Sequence, residues 1–259
     1  HVHTLQLPEV FGGPTAIGLP RHPVLTVHHW AHLLWANTAA MSMGVRRVPG
    51  WRGALRLLWA VIRARSINRW KVLARLSTVG RGCDIHPTAV VEASTLGDNV
   101  TVGPYARVLF STIGDGANVL SGAEVEACTI GAGATVGQRC GLRLCVIYPE
   151  AMASQSQMQA CILGRRTVTV LGSYSIDLNF DREIRVPLDG MLQSTGTRFL
   201  GSAYGHDCRI GTGVWLASGR SVPNGTVWIR DPRQVAARIG EPTPGSPVVL
   251  ANGALGRAP

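Results

Sequence analysis

A beat of 17 residues, held for five successive turns from Val79, constrains this chain more than any other feature. Leu96, Ile113 and Ile130 each precede a glycine (Gly97, Gly114, Gly131), and Ile147 and Leu163 continue the series, the last one residue early. Each turn divides into two stretches of six residues and one of five: Val79-Gly-Arg-Gly-Cys-Asp, Ile85-His-Pro-Thr-Ala-Val, then Val91-Glu-Ala-Ser-Thr before Leu96. An aliphatic residue opens most stretches and a small one usually sits four places on, as at Ala89, Val100, Ala106, Ala117, Ala123, Ala134, Cys140 and Ala151. Self-similarity at a fixed short period means a solenoid, and a six-residue period with aliphatic and small positions means a parallel β-helix.

The repeat divides the 259 residues. Residues 1–25 read as an extended Gly/Pro arm and 26–78 as a basic α-helical segment. Coils follow over 79–176, an inserted loop over 177–198, final coils over 199–229, and over 230–259 a capping helix near Gln234–Ile239 and a mobile tail from Gly240 to Pro259. In the helical segment, Thr26 is the expected N-cap, Val27, Trp30, Leu34 and Met41 share a face, and Gly44 closes. A second helix is expected from Trp51 to Arg65 with Leu55, Leu58 and Ile62 inward, and a third with Trp70, Leu73 and Leu76. The beat fails at Asp177, where residues 177–198 hold a cluster of charges and no six-residue register. It resumes at Phe199-Leu-Gly-Ser-Ala, Tyr204-Gly-His-Asp-Cys-Arg and Ile210-Gly-Thr-Gly-Val-Trp. A long loop thrown out of a rigid scaffold is where function is expected.

Charge is unevenly spread. The formal net charge is +10, with 24 arginines and one lysine. Between Phe11 and Cys83 there is no Asp or Glu, yet the segment carries Arg21, Arg46, Arg47, Arg52, Arg56, Arg63, Arg65, Arg69, Lys71, Arg75 and Arg81. With Trp51, Leu55, Leu58 and Ile62 this makes a basic amphipathic stretch over 46–75. It suits packing on the β-helix or a sister subunit, or contact with an anionic membrane surface or a protein partner. No nucleic-acid motif accompanies it. The longest apolar stretch, Gly53 to Ile62, is broken by Arg56 and far short of the roughly 20 residues that span a bilayer. All six cysteines fall at inward positions, without metal spacing, which predicts buried thiols and a cytoplasmic protein, peripheral at most to the inner membrane face.

The hexads resemble those of the hexapeptide-repeat transferase superfamily, over 79–176 and 199–229. That resemblance implies a mainly β fold, a left-handed parallel β-helix, assembled as a homotrimer. Pro23-Val-Leu-Thr-Val-His-His-Trp-Ala-His-Leu-Leu-Trp-Ala-Asn is similar to the helix that links sugar-phosphate nucleotidyltransferase domains to a β-helix. Gly205-His-Asp-Cys-Arg-Ile-Gly and Gly219-Arg-Ser-Val-Pro-Asn-Gly are similar to the last coils of such two-domain enzymes, among them the bifunctional N-acetylglucosamine-1-phosphate uridyltransferase/acetyltransferases. Their glycine-rich nucleotide loop is missing, so nucleotidyl transfer by this chain alone is not expected, and the chain looks like the C-terminal half of such a protein.

The resemblance implies acyl transfer from an acyl-CoA co-substrate to a sugar or sugar nucleotide of envelope polysaccharide metabolism, with no metal. Such chemistry needs a general base and backbone N–H groups for the thioester oxyanion. His206 is the candidate base, against a plain surface histidine at a coil corner. Gly201, Ser202 and Gly205 are candidates for the backbone contacts to the cofactor, and Arg209 and Arg220 for its phosphates. Asp177, Asp181, Glu183, Asp189 and Asn224 are candidates for the acceptor, against a hydrated charged loop. His86 reads as a structural corner. His28 and His32 have zinc-like helical spacing, with His22 and His29 nearby, but no third ligand is evident. A non-catalytic trimeric scaffold, binding a protein partner or a membrane through the basic helices, is the alternative.

Overall fold

The computed structural model describes residues 3–6, 16–19, 26–46, 76–154, 156–237, 248–251 and 254–257, together with 55, 58, 59, 61–63, 65, 68 and 72. From Thr78 the chain winds into a β-solenoid of about nine turns. Three parallel sheets form its faces. The first stacks eight strands from Thr78–Val79 to Ser221–Val222, and the second eight from Asp84–Ile85 to Val227–Trp228. The third stacks five from Val90–Glu92 to Gln157–Gln159 and is continued by Tyr174–Ser175 paired with Trp215–Leu216. The lower coils pair in register at a spacing of 17, as in Thr112↔Thr129 and Ile113↔Ile130, and the upper ones at 16, as in Val146↔Ile162, or 18, as in Ala203↔Ser221, on either side of a 41-residue step from Ile162 to Ala203.

Alternation along these two- and three-residue strands sends one side chain in and its neighbour out. Leu96, Ile113, Ile130, Ile147, Leu163, Tyr204 and Val222 therefore stack down the inside of the first face, while Thr95, Thr112 and Thr129 face outward. Burying each large aliphatic side chain contributes about 1.5–3 kcal/mol, so the stacked core accounts for the fold without long strands. Most described corners turn through a left-handed residue. One column supplies Gly82, Asn99, Gly116 and Gly133, residues that adopt positive φ at little cost. The corner before the first face uses Ala93, Phe110, Ala127, Leu144 and Ala160 at φ 46–53° instead.

The six cysteines are free, and all but half-buried Cys83 are fully buried. Cys128, Cys145 and Cys161 do more than fill space. They continue a corner column begun by Ser77, Ser94 and Ser111. From Ser94 on, each side chain donates to the carbonyl two residues back, as Ser94 does to Glu92 (2.8 Å) and Cys145 to Arg143 (3.2 Å), while Ser77 donates to the Val91 carbonyl (3.2 Å). Each of several also accepts the N–H of the coil above: Ser111 N–H to Ser94 Oγ (3.1 Å), Cys128 N–H to Ser111 Oγ (3.0 Å), Cys145 N–H to Cys128 Sγ (3.3 Å).

Residues 177–198 do not form a plain loop. The repeat leaves the coil after Ser175 and folds into an antiparallel hairpin, Arg185–Leu188 with Met191–Ser194, turned by Asp189 and Gly190, both at positive φ. Ile184, Val186 and Leu200 bury themselves against Ile162, Ala203 and the helix residues Ala31 and Leu34, forming a second core on the outside of the first face. That helix spans Trp30–Arg46. It starts later than expected from Thr26, and His29 caps it: its Nδ1 accepts the Ala31 N–H (3.3 Å) and its carbonyl the His32 N–H (2.9 Å). Val27 is exposed outside it, and Gly44 lies within it rather than ending it.

Three further expectations are corrected. The arm contains a hairpin, His3–Gln6 with Ala16–Leu19, and the tail another, Val248–Ala251 with Ala254–Arg257. In place of a capping helix, Pro232–Gln234 makes one 3-10 turn capped by Asp231, and residues 238–239 lie outside the described set. Residues 55, 58, 59 and 61–63 are helical as expected, but Leu55, Leu58 and Ile62 point outward, each more than half exposed. Trp70 and Leu73 of the third expected helix lie outside the described residues, and Val72 is buried.

Candidate functional site

The hairpin, thrown out of the coil and packed back on it, encloses a cleft of about 420 Å³ against the last third-to-first-face corner. Asn179, Arg182, Glu183, Arg185 and Leu192 line it from the excursion, and Ala217, Ser218 and Arg220 from the coil. Arg220 Nη1 donates to the Arg185 carbonyl (2.7 Å), and Ser218 Oγ meets Asn179 Oδ1 (3.2 Å), so both walls are tied together at the rim. The Ser194 hydroxyl donates to Glu183 and holds its carboxylate. Three arginines and one glutamate line the cleft, a set suited to an anionic, hydroxyl-bearing ligand, because arginine pairs with phosphate and carboxylate through fixed forks.

Of the candidates read from the sequence, the cleft gathers Glu183 and Arg220. Asp177 sits at the foot of the excursion, half-buried, where desolvation raises its carboxyl above the usual range. Asp181 is exposed and pairs with Arg182 (3.8 Å), and Asp189 forms the hairpin turn. Arg209 lies on the second face and donates to the Arg166 carbonyl (2.7 Å). Asn179, Arg182, Arg185 and Ser218 were not anticipated as site residues. The signal for them is their position on either side of the one break in the repeat.

His206 sits at a different corner, between the first and second faces. Its Nδ1 accepts the backbone N–H of Arg165 (2.8 Å), and its own N–H donates to Asn224 Oδ1 (2.8 Å). These bonds place both in a ladder that lower coils build from carboxylates: Arg81 N–H to Asp98 Oδ1 (2.7 Å) and Asp98 N–H to Asp115 Oδ1 (2.8 Å). An Nδ1 that accepts leaves the proton of neutral imidazole on Nε2, which then donates and cannot accept. The ring meets Tyr148 edge-on and is otherwise exposed, and the neighbouring Asp207 carboxyl is held below its usual range by the hydrogen bond from Arg166.

The expected oxyanion donors are engaged within the coil. Gly201 N–H donates to the Ala160 carbonyl (3.2 Å) and Gly205 N–H to Val222 (2.9 Å). Ser202 is fully buried, its hydroxyl donating to the Ala217 carbonyl (2.9 Å) and meeting Ser175 Oγ (2.8 Å). The glycines serve packing instead: a Cβ on Gly201 would stand 2.2 Å from the Gln159 carbonyl oxygen. His86 Nδ1 closes its own corner on Thr88 (3.2 Å from the N–H). Among the described residues no group of three or more His, Cys, Asp or Glu could hold a metal ion.

A second, more apolar groove of about 710 Å³ runs between the helix and the first face. Asn37 and Met41 face Thr95, Thr112 and Thr129 across it, and Thr129 Oγ1 donates to Asn37 Oδ1 (2.8 Å).

Neither a protein-family model nor a curated protein matches the sequence. Solved structures similar to it include a hexapeptide transferase family protein from Anaplasma phagocytophilum, at 16% identity over 60% of this chain and 80% of that one, with a TM-score of 0.28. Another is a Bacillus cereus protein provisionally described as an acetyltransferase, at 15% identity over 58% and 77%, with a TM-score of 0.22.

Proposed function

We propose that the chain is a transferase-type β-solenoid that moves an acyl group from an acyl-CoA to a sugar or sugar nucleotide, and that the acceptor binds in the excursion cleft. The observation carrying this reading is the cleft itself: the solenoid's interruption at 177–198 folds into a walled site lined by Arg182, Arg185, Arg220 and Glu183. The arginines would take an acceptor's phosphate and Glu183 would orient a hydroxyl. His206 and the excursion lie at different corners of one chain, so this reading requires a homotrimer in which one subunit's His206 approaches its neighbour's cleft. With Nδ1 engaged, His206 enters as a hydrogen-bond donor through Nε2 to the thioester or phosphate oxygen.

The second reading, a non-catalytic scaffold, is favoured by the ladder: His206, Gly201 and Gly205 all have structural partners. His206→Asn separates the two. Asparagine keeps the ladder acceptor, as Asn224 does in the coil above, so the melting temperature should stay within a degree or two, whereas His206→Ala should cost about 1 kcal/mol. In a transferase both variants should lose at least ~100-fold in acetyl or acyl transfer, on the scale of one lost oxyanion donor. Full activity in His206→Asn reduces His206 to a spine residue. If calorimetry detects no CoA thioester binding to the wild type or to His206→Ala, the enzyme reading falls.

A further inference from the structure

The helical residues 55, 58, 59 and 61–63 expose Leu55, Leu58, Trp59 and Ile62 at 51, 55, 60 and 61% of their surface. Spaced i, i+3, i+4 and i+7, they fall within an arc of about 100° on one helix face. The Arg63 guanidinium stacks over the Trp59 ring at 4.4 Å, which keeps a cation at the edge of that face. Among the described residues nothing covers these four side chains. In the sequence, the surrounding stretch from 12 to 82 carries ten arginines and one lysine and no acidic residue. The solenoid, by contrast, pairs its charges on its third face, as Arg107 does with Glu124 and Arg143 with Glu126. No described helix is long and apolar enough to cross a membrane.

We propose that this face docks in the plane of an anionic lipid surface, Leu55, Leu58, Trp59 and Ile62 entering the headgroup–acyl boundary while the arginines meet lipid phosphates. A protein interface would bury the apolar face equally well. It would not explain a run of eleven cations uncompensated by a single carboxylate, which opposes association with a second copy of this basic chain. A lipid surface answers both halves of the pattern: apolar area enters the interface, each nearby Lys or Arg adds attraction, and Trp and Arg suit the boundary because each has an apolar body and a polar end.

The test is flotation of the full chain with vesicles of pure phosphatidylcholine and with vesicles carrying 30% phosphatidylglycerol as the probe (about one anionic lipid in three, enough to set up a negative surface potential). The expected result is binding to the anionic vesicles only, weakened at least ~10-fold by raising salt until the surface attraction is screened. The double variant Trp59→Glu/Ile62→Glu should abolish it, and Arg63→Gln should weaken it, with the circular dichroism of the solenoid unchanged. Equal binding to both vesicle types, or none to either, overturns the proposal. So does a double variant that still floats, or one that instead changes the particle mass by light scattering, which makes the face a subunit interface.

Discussion

Above pH 9 the stability of this chain should fall by up to about 4 kcal/mol per pH unit while three thiols stay protonated in the fold, more steeply than surface titration would produce. The cause lies in three buried thiols. Burial pushes the Cys140 thiol above its ordinary value near 9, and Cys145 and Cys161 go well above it, through desolvation and mutual hydrogen bonding within the corner column. In the unfolded chain these thiols ionise as pH rises past that ordinary value, while in the folded chain they keep their protons. The unfolded state then binds fewer protons, so this stability is present below the ordinary thiol value and is lost as pH rises from there towards the folded value, at no more than about 1.4 kcal/mol per group per pH unit. The Tyr204 phenol, pushed up by burial and lacking a hydrogen-bond partner among the described residues, steepens the fall once its unfolded-state value near 10 is passed. Urea midpoints at pH 7, 9 and 10 would measure the slope. The triple variant Cys140→Ser/Cys145→Ser/Cys161→Ser should flatten it. Serine already occupies the same columns at Ser94, Ser111 and Ser156, so the variant keeps the corner hydrogen bonds. A slope equal to wild type in that variant would refute the thiol origin.

Replacing Gly201 by valine should cost more than ~3 kcal/mol and release the excursion from the coil. A Cβ there would stand 2.2 Å from the Gln159 oxygen, 2.9 Å from the Ala160 oxygen and 2.5 Å from Cys161 Sγ. Two of these are backbone atoms that no rotamer change can move, and overpacking against fixed neighbours costs at the top of the usual range. Gly201 is also where the returning chain rejoins the solenoid, next to fully buried Leu200. The loss should therefore appear as protease cleavage within 177–198 and as disappearance of cleft binding before the lower coils melt. Gly116→Ala is the matched control: nothing lies within 4 Å of the new methyl, and only the positive φ of 66° is strained, at about 1 kcal/mol. If Gly201→Val melts and resists protease like Gly116→Ala, the re-entry point is not a close-packed joint.

The solenoid was legible because its period is short and its inward positions are chemically uniform. Leu96, Ile113 and Ile130 need no partner beyond the next coil, so local pattern and tertiary contact coincide. The excursion was located by the same means but misjudged as a loop. Ile184-Arg-Val-Pro-Leu188 alternates with period two, and Asp189-Gly190 is a strong two-residue hairpin turn. Pro187 and the dense charges obscured that alternation. His206 shows the limit of reading residues singly. Its role follows from its column, shared with Asp98, Asp115 and Asn224, and an outward-facing histidine looks the same on paper whether it holds a coil or a substrate. Leu55, Leu58 and Ile62 were rightly seen as one face, but amphipathicity does not say what lies opposite it. The non-glycine left-handed corners at Ala93, Phe110 and Ala127 left no mark in composition at all.

The seam beside the excursion closes across 41 residues as tightly as its neighbours close across 16 and 18: Cys208 N–H reaches Thr167 Oγ1 at 3.0 Å, and Asp207 N–H reaches the Arg165 carbonyl at 2.9 Å. The longer span adds only about 0.8 kcal/mol of closure entropy. The solenoid thus behaves as a track whose couplings ignore the length of chain between them, and the corner after Ser175 is a socket. Whatever folds there leaves the stacking of the coils intact, provided that it covers Ile162 and Ala203 as Ile184, Val186 and Leu200 do.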